Sequence, residues 1–228
     1  MKKVKVATVG LCALTMVGMG CSTKAGTGAL IGTGSGTAVG ALIGALAGNT
    51  AVGAAVGAAV GAGAGALIGK HMDKVAAETA AQVKNGKVEE VTDANGLKAV
   101  KVTFDNGILF PVGKYALQAA AKNELSKFSN VLKNNADLQV DIQGYASSDG
   151  SNEVNQVLSN NRANSVKAYL GNTCGVPSSQ SKSAQGFGET NLITNADGTE
   201  NVKASRRVEV YLYASQAMID KANAGQLN

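Results

Sequence analysis

The side chains best placed to bind an ionic ligand lie on one face of a predicted helix over about residues 153–170. Arg162 shares that face with apolar residues, and an arginine in such surroundings is costly unless it meets an anion. Its planar guanidinium matches a carboxylate through two parallel hydrogen bonds. The anion is predicted to be either an external carboxylate or, within the chain, Asp149 or Glu153. Spacings of three and four residues place four side chains on this face: Asn155, Leu158, Arg162 and Val166.

The sequence does not indicate catalytic or metal-binding chemistry. His71 is the only histidine, and its position beside Lys70 favours a residue at a membrane edge over a ligand or a base. With one histidine, no cysteine partner and no His-x-x-x-His spacing, the usual zinc sites and the Ser-His-Asp triad are excluded. We therefore predict no catalytic residue, no metal site and no cofactor.

The charge balance argues against a nucleic-acid partner. The 228-residue chain has a formal net charge of +5, but Lys2, Lys3 and Lys5 stand in a segment with the pattern of a signal peptide. Without them, 18 basic residues face 16 acidic ones, and the chain has no basic stripe. Nucleic acid requires a concentrated cationic surface, so we exclude it as a partner.

The N-terminus has the pattern of an export signal over residues 1–20. A cationic start is followed by an apolar stretch and then by small residues before Cys21. A small residue followed by Cys, Ser and Thr resembles a bacterial lipobox, which implies that Cys21 is acylated and anchors the chain to a membrane. The alternative is ordinary cleavage nearby, with Cys21 an incidental buried thiol. Loss of Cys12 and acylation of Cys21 leave Cys174 alone, so no intrachain disulfide is expected.

Residues 21–70 contain the strongest periodicity of the chain. No charged residue or histidine occurs over residues 25–69, where two runs of glycine repeat every four positions. Each run is about twenty residues, enough to span a bilayer core of about 30 Å as a helix with a side-chain-free groove. We predict a membrane hairpin that turns at Asn49 and Thr50 and associates into homo-oligomers; a flexible linker is the alternative. The zipper glycines are Gly28, Gly32, Gly36, Gly40, Gly44, Gly48, Gly53, Gly57, Gly61, Gly65 and Gly69.

From residue 71 onward, the pattern favours an α+β fold. Residues 71–99 are predicted to form a helical linker and a β-hairpin that turns at Asn95 and Gly96. The order of the remaining elements is β-α-β-α-β-β, which places the helices on one face of a small mixed sheet in two layers. Residues 214–228 form a tail that either adds a short helix or stays loose. Strands are predicted over about 88–92, 97–104, 138–142, 181–187 and 208–212, and helices over about 114–134 and 153–170.

Several separated motifs resemble the OmpA-like C-terminal domain, a peptidoglycan-binding module of bacterial outer envelopes. The resemblance covers about residues 100–213. With the lipobox and the glycine repeat ahead of it, which resembles the glycine-zipper two-transmembrane domain, the whole chain is similar to the YiaD-type lipoproteins of the OmpA family. The motifs are IQGYASSDG over residues 142–150, Asn155, Leu158-Ser159-x-x-Arg162-Ala163-x-x-Val166, Gly186-Phe-Gly-Glu189 and Arg206-Arg207-Val-Glu-Val210.

The resemblance implies that the domain holds the diaminopimelate unit of the peptidoglycan stem peptide through its carboxylate and its amine. Arg162 is assigned to the carboxylate, and the chain departs from the family where Ser147 replaces the aspartate expected to pair with the amine. Asp149 is predicted to reach in its place. Pro111 stands where many members carry an acidic residue. The implied peptidoglycan-binding residues are Arg162, Asn155, Ser147, Asp149, Arg206 and Arg207.

Side chains alternate between the two faces of a strand, and this alternation gives a prediction for the arginine pair at the start of the last strand. Arg206 shares parity with Val208 and is expected to point inward, whereas Arg207 is expected to point out.

Taken together, the resemblances imply a non-enzymatic lipoprotein of the outer membrane whose C-terminal domain lies in the periplasm and binds peptidoglycan. Its expected partners are peptidoglycan, outer-membrane lipid and further copies of the chain. One alternative is a pore or scaffold in which the zipper oligomerises and the C-terminal domain only positions it. A second alternative is an envelope enzyme.

Overall fold

The computed structural model describes residues 60–93 and 96–227. The signal peptide, Cys21 and the zipper glycines from Gly28 to Gly57 lie outside the described residues. The helices are α1 (Ala62–Gln82), α2 (Asn106–Leu109), α3 (Ala119–Asn134), α4 (Asn152–Ala168), α5 (Val202–Ser205) and α6 (Gln216–Asn223). The strands are β1 (Gly86–Thr92), β2 (Lys98–Asp105), β3 (Leu138–Tyr145), β4 (Ser181–Gly186) and β5 (Arg207–Ala214), and a π-helical turn over Tyr169–Thr173 extends α4.

The five strands form one mixed sheet in the order β1-β2-β5-β3-β4. β1 and β2 pair as the predicted hairpin, and β5 lies antiparallel between β2 and β3. β3 and β4 are parallel, because α4 returns the chain to the same end of the sheet. The predicted α+β fold is confirmed.

The core lies between one face of the sheet and the helices. Valines and leucines at alternate positions of β2, β3 and β5 pack against α1, α3, α4 and α6. The Phe104 and Phe128 rings meet edge to face with centroids 6.0 Å apart. The C-terminal tail contributes to this core as α6, which Ser215 caps by accepting from the Met218 N–H at 3.2 Å and which buries Met218 and Ile219.

Helix α1 is continuous across the predicted boundary between residues 70 and 71. Its apolar period continues from Ile68 to Met72 and Val75, all fully buried against the core. Lys70, the first charged residue of α1, lies on the exposed side of the helix. In the described part of the chain, no helix combines the length and apolar character that crossing a membrane requires.

The last three zipper glycines lie in or just before α1 without close backbone contacts. A Cβ at Gly69 would meet no atom within 4 Å, and one at Gly65 would meet side-chain atoms no nearer than 3.9 Å. A Cβ at Gly61 would lie 3.4 Å from the Asn223 side chain. Within the described residues, Gly65 and Gly69 therefore border an open flank of α1, while the apolar face of the helix packs on the core.

Two other glycines do allow a close approach. A Cβ at Gly144 of β3 would clash with the Ser159 carbonyl oxygen, and one at Gly186 of β4 would clash with the Asn160 backbone nitrogen. Helix α4 thus lies directly on the sheet. This contact fixes the helix face from which Arg162 projects.

Candidate functional site: a groove beside helix α4

A groove of about 510 Å³ opens between the start of α4, the turn after β3 and the segment that follows β2. The segment around α5 closes its remaining side. Five of the six residues assigned to ligand binding line this groove: Arg162, Asn155, Ser147, Asp149 and Arg206. The sixth, Arg207, lies elsewhere.

Arg162 is almost entirely buried at the groove wall, with 4% of its surface exposed. Its Nε–H donates to the Lys114 carbonyl at 3.0 Å, and its Cζ lies 5.5 Å from the centroid of the Phe110 ring. These contacts fix the plane of the guanidinium. Burial, together with the positive charge of Arg206, lowers the pKa of Arg162 to about 10. An incoming carboxylate would offset both effects.

Asp149 pairs with Arg206 rather than with Arg162. The Arg206 guanidinium binds the Asp149 carboxylate, and its Nε–H donates to Ser147 Oγ at 2.9 Å. The Ser147 hydroxyl also lies 3.4 Å from Asp149 Oδ2. Glu153, the other acidic candidate, has its pKa lowered by its own backbone N–H and by Ser151.

Asn155 organises the turn after β3. Its buried amide group lies 3.1 Å from the carbonyl oxygens of Ser147 and Asp149 and 3.1 Å from Glu189 Oε2. Gly150 closes the turn with φ = +100°, a conformation that favours glycine. Asn155 therefore acts as a positioning residue that holds Ser147 and Asp149 at the groove.

The structure differs from the prediction for Arg206 and adds to that for Arg207. Arg206 is not in the sheet but ends α5, and its side chain is 34% exposed over the groove. Arg207 begins β5 on the face opposite the helices, where it is 5% exposed. It donates to Glu209 Oε1 at 2.7 Å and lies 4.0 Å above the Tyr145 ring centroid. Arg207 therefore lies on the predicted side of the strand but is buried there, and the inward assignment of Arg206 was wrong because β5 begins only at Arg207.

The groove also has an apolar rim that sequence reasoning missed. Val112 is 87% exposed and Val154 is 61% exposed, and both line the groove beside Phe110 and Pro111. Lys203 and Asp105 complete the lining and form an ion pair at 3.5 Å. A signal was available for Val154, because it precedes Leu158 by four residues on the Arg162 face; residues 110–113 carry no periodic signal.

No group of three or more His, Cys, Asp or Glu side chains in residues 60–93 and 96–227 is placed to hold a metal ion. His71 lies in α1 with both ring nitrogens buried. Cys174 follows the π-helical turn as a half-buried thiol, near a helix end as predicted.

Comparison with protein families matches the part of the chain that contains β3, β4 and most of the groove to a known family. Residues 109–207 match the OmpA family. The chain carries an OmpA-family domain. Residues 31–76, which overlap the start of α1, match the glycine zipper family.

Two curated relatives match part of the chain in sequence, and a solved structure shares its fold. The probable lipoprotein YiaD of Escherichia coli is 33% identical over 111 residues, which cover 49% of this chain and 50% of YiaD. Outer membrane porin F of Pseudomonas aeruginosa is 28% identical over 124 residues, covering 54% of this chain and 35% of the porin. The chain thus spans half or less of these curated relatives. A putative MotB-like protein from Desulfovibrio vulgaris shares the fold, with a TM-score of 0.53, 18% identity, and coverage of 66% of this chain and 98% of that one.

Proposed function

We propose that the chain is a non-enzymatic tether that connects the outer membrane to peptidoglycan. The OmpA-family domain binds the stem peptide, and Arg162 receives the carboxylate of its diaminopimelate unit. The observation that carries this proposal is a nearly buried guanidinium at the wall of an open groove, with its plane fixed by Lys114 and Phe110.

The electrostatics of the groove support a carboxylate ligand. Two arginines lie close enough for Arg206 to lower the pKa of Arg162. A carboxylate that enters between them relieves this repulsion and gains charge-assisted hydrogen bonds, which are stronger than neutral ones. The exposed side chains of Val112 and Val154 offer an apolar surface to the methylene chain that carries the carboxylate.

Co-sedimentation with purified sacculi tests the tether. The full chain, purified in detergent, is expected to pellet with sacculi, and a soluble stem peptide is expected to release it. Arg162→Ala should weaken this binding about 30-fold, since a hydrogen-bonded charge contributes roughly 2 kcal/mol. Lys182→Ala removes the same charge from an exposed position on β4 and should bind like wild type. Wild-type protein that stays in the supernatant, or that releases muropeptides, would contradict the proposal.

The membrane end of the tether rests on Cys21 and the glycine zipper. Acylation of Cys21 would hold the chain to the outer membrane and leave the OmpA-family domain in the periplasm. Metabolic labelling with a fatty acid should mark wild type, while Cys21→Ala should remain unlabelled. Incorporation of label into the variant would exclude this anchor.

A second candidate is an oligomeric zipper pore or scaffold whose OmpA-family domain does not bind the wall. The zipper match and the open flank of α1 beside Gly65 and Gly69 favour it. Cross-linking of the membrane-embedded chain into oligomers, combined with no sedimentation on sacculi, would support this candidate over the tether.

A further inference from the structure

The groove carries an excess of positive charge. Of the described residues that line it, three are cationic and two are anionic: Arg162, Lys203 and Arg206 against Asp105 and Asp149. Two further carboxylates, Glu189 and Glu200, do not line the groove; they bind the Asn155 amide and Ser148. A ligand group with a net negative charge therefore fits this lining better than a zwitterionic group does.

Both carboxylates of the groove already have cationic partners. Asp149 binds Arg206, and Asp105 binds Lys203. An ammonium group that approaches Asp149 must come close to the Arg206 guanidinium, whose charge opposes it. Ser147 adds no charge, because its hydroxyl accepts from Arg206 and faces Asp149. The groove can therefore bind a ligand carboxylate, but it offers no favourable partner to an ammonium group attached to the same ligand carbon.

The apolar rim suggests what replaces the ammonium. Val112 and Val154 are exposed at the groove wall, with Phe110 buried beneath them. Such side chains gain contact area from a neutral acyl group and gain nothing from a hydrated cation. An amine converted to an amide loses its charge and presents an acyl chain of this kind.

We propose that the groove selects a diaminopimelate carboxylate whose neighbouring amine is acylated, as it is where one stem peptide is cross-linked to another. This inference rests on the proposed peptidoglycan function and names the form of the ligand. The chain would then bind preferentially to cross-linked wall and only weakly to stem peptides with a free amine.

Two synthetic stem tripeptides test the preference. Both end in diaminopimelate with its main-chain carboxyl group amidated, and they differ only in whether the side-chain amine is free or acetylated. Titrated into the full chain in detergent micelles, the acetylated peptide should bind about fivefold more tightly, the upper range for a partly exposed charge interaction. Equal binding, or tighter binding of the free amine, would overturn the inference while leaving the tether intact. If neither the peptides nor sacculi bind, the proposed function itself fails.

Two variants that make a groove carboxylate available should change the preference between the acetylated and the free-amine peptide. Ser147→Asp places a carboxylate in the groove, and Arg206→Ala releases Asp149 from its partner, so each should shift the preference towards the free amine. Ser151→Asp is the matched control, since it adds the same charge outside the groove and keeps the cap of α4. An unchanged preference in a folded Ser147→Asp or Arg206→Ala protein would count against the proposal.

Discussion

Arg206 and Arg207 are neighbours in sequence but serve two different regions of the molecule. Arg206 is one-third exposed over the groove, and its partner Asp149 is 64% exposed. Arg207 lies on the other side of β5, where Glu209 and the carbonyl oxygens of Asn191 and Ser205 accept its hydrogen bonds. Arg207 is committed to structure, whereas Arg206 is exposed at the groove, whose wall also contains the nearly buried Arg162. For these two neighbours, the exposure of the side chain rather than the residue type separates the roles.

Removing the partner of the buried arginine should have the largest effect on stability. Glu209→Ala leaves Arg207 as an uncompensated buried charge and removes the acceptor of the Tyr211 hydroxyl, which should cost about 3–5 kcal/mol. Asp149→Ala breaks the exposed pair of the groove and should cost less than about 1 kcal/mol. Urea unfolding of the two variants measures the contrast. Similar losses would mean that the two regions are not energetically distinct.

The two helices that flank the core offer a second contrast. Gly144→Ala forces a Cβ against the backbone of α4 and should destabilise the protein by about 3 kcal/mol. Gly69→Ala adds a Cβ in open space on α1 and should stabilise the helix by roughly 0.5–1 kcal/mol. The same unfolding measurement checks both changes. A loss of stability in Gly69→Ala would show that the open flank of α1 is occupied in the folded protein.

Glu124 is a third carboxylate, as buried as Glu209, whose partners are two backbone N–H groups and an exposed lysine. Burial alone would raise its pKa, but the backbone N–H groups of Lys84 and Asn85 and the Lys127 ammonium together lower the pKa of Glu124. A lowered pKa in the folded state means that the stabilisation is present at neutral pH and is lost as the pH falls through that value. Glu124→Gln should therefore cost about 1.5 kcal/mol at pH 7.

The pH dependence of unfolding separates this electrostatic contribution from a packing defect. The difference between Glu124→Gln and wild type should shrink as the pH falls below the ordinary range of a glutamate pKa. A difference that stays constant down to acidic pH would indicate that the charge of Glu124 does not contribute.

Much of the fold could be predicted because its elements have strong periodic signals. The alternation of Val208, Val210 and Leu212 marks β5, and the spacing of Asn155, Leu158 and Arg162 marks the groove face of α4. Five of the six residues that the family motifs assigned to ligand binding line one groove in the structure.

The elements that could not be predicted either lack a periodic pattern of apolar residues or change their surroundings along their length. The one-turn helix α5 ends at Arg206, so this residue lies outside β5 and does not follow its alternation. Both faces of β5 are buried, so alternation could not distinguish a buried ion pair from an exposed charge. The glycine repeat before Lys70 and the apolar repeat after it indicate separate elements, although both patterns continue within helix α1.

The central claim is that the groove arginines bind a carboxylate from outside the chain, and NMR of the arginine Nε–H groups tests it most directly. On titration of the full chain with the acetylated stem tripeptide, the Arg162 and Arg206 resonances should shift and saturate together, while that of Arg207 stays in place. Saturable binding of the peptide with an unmoved Arg162 resonance would contradict the account.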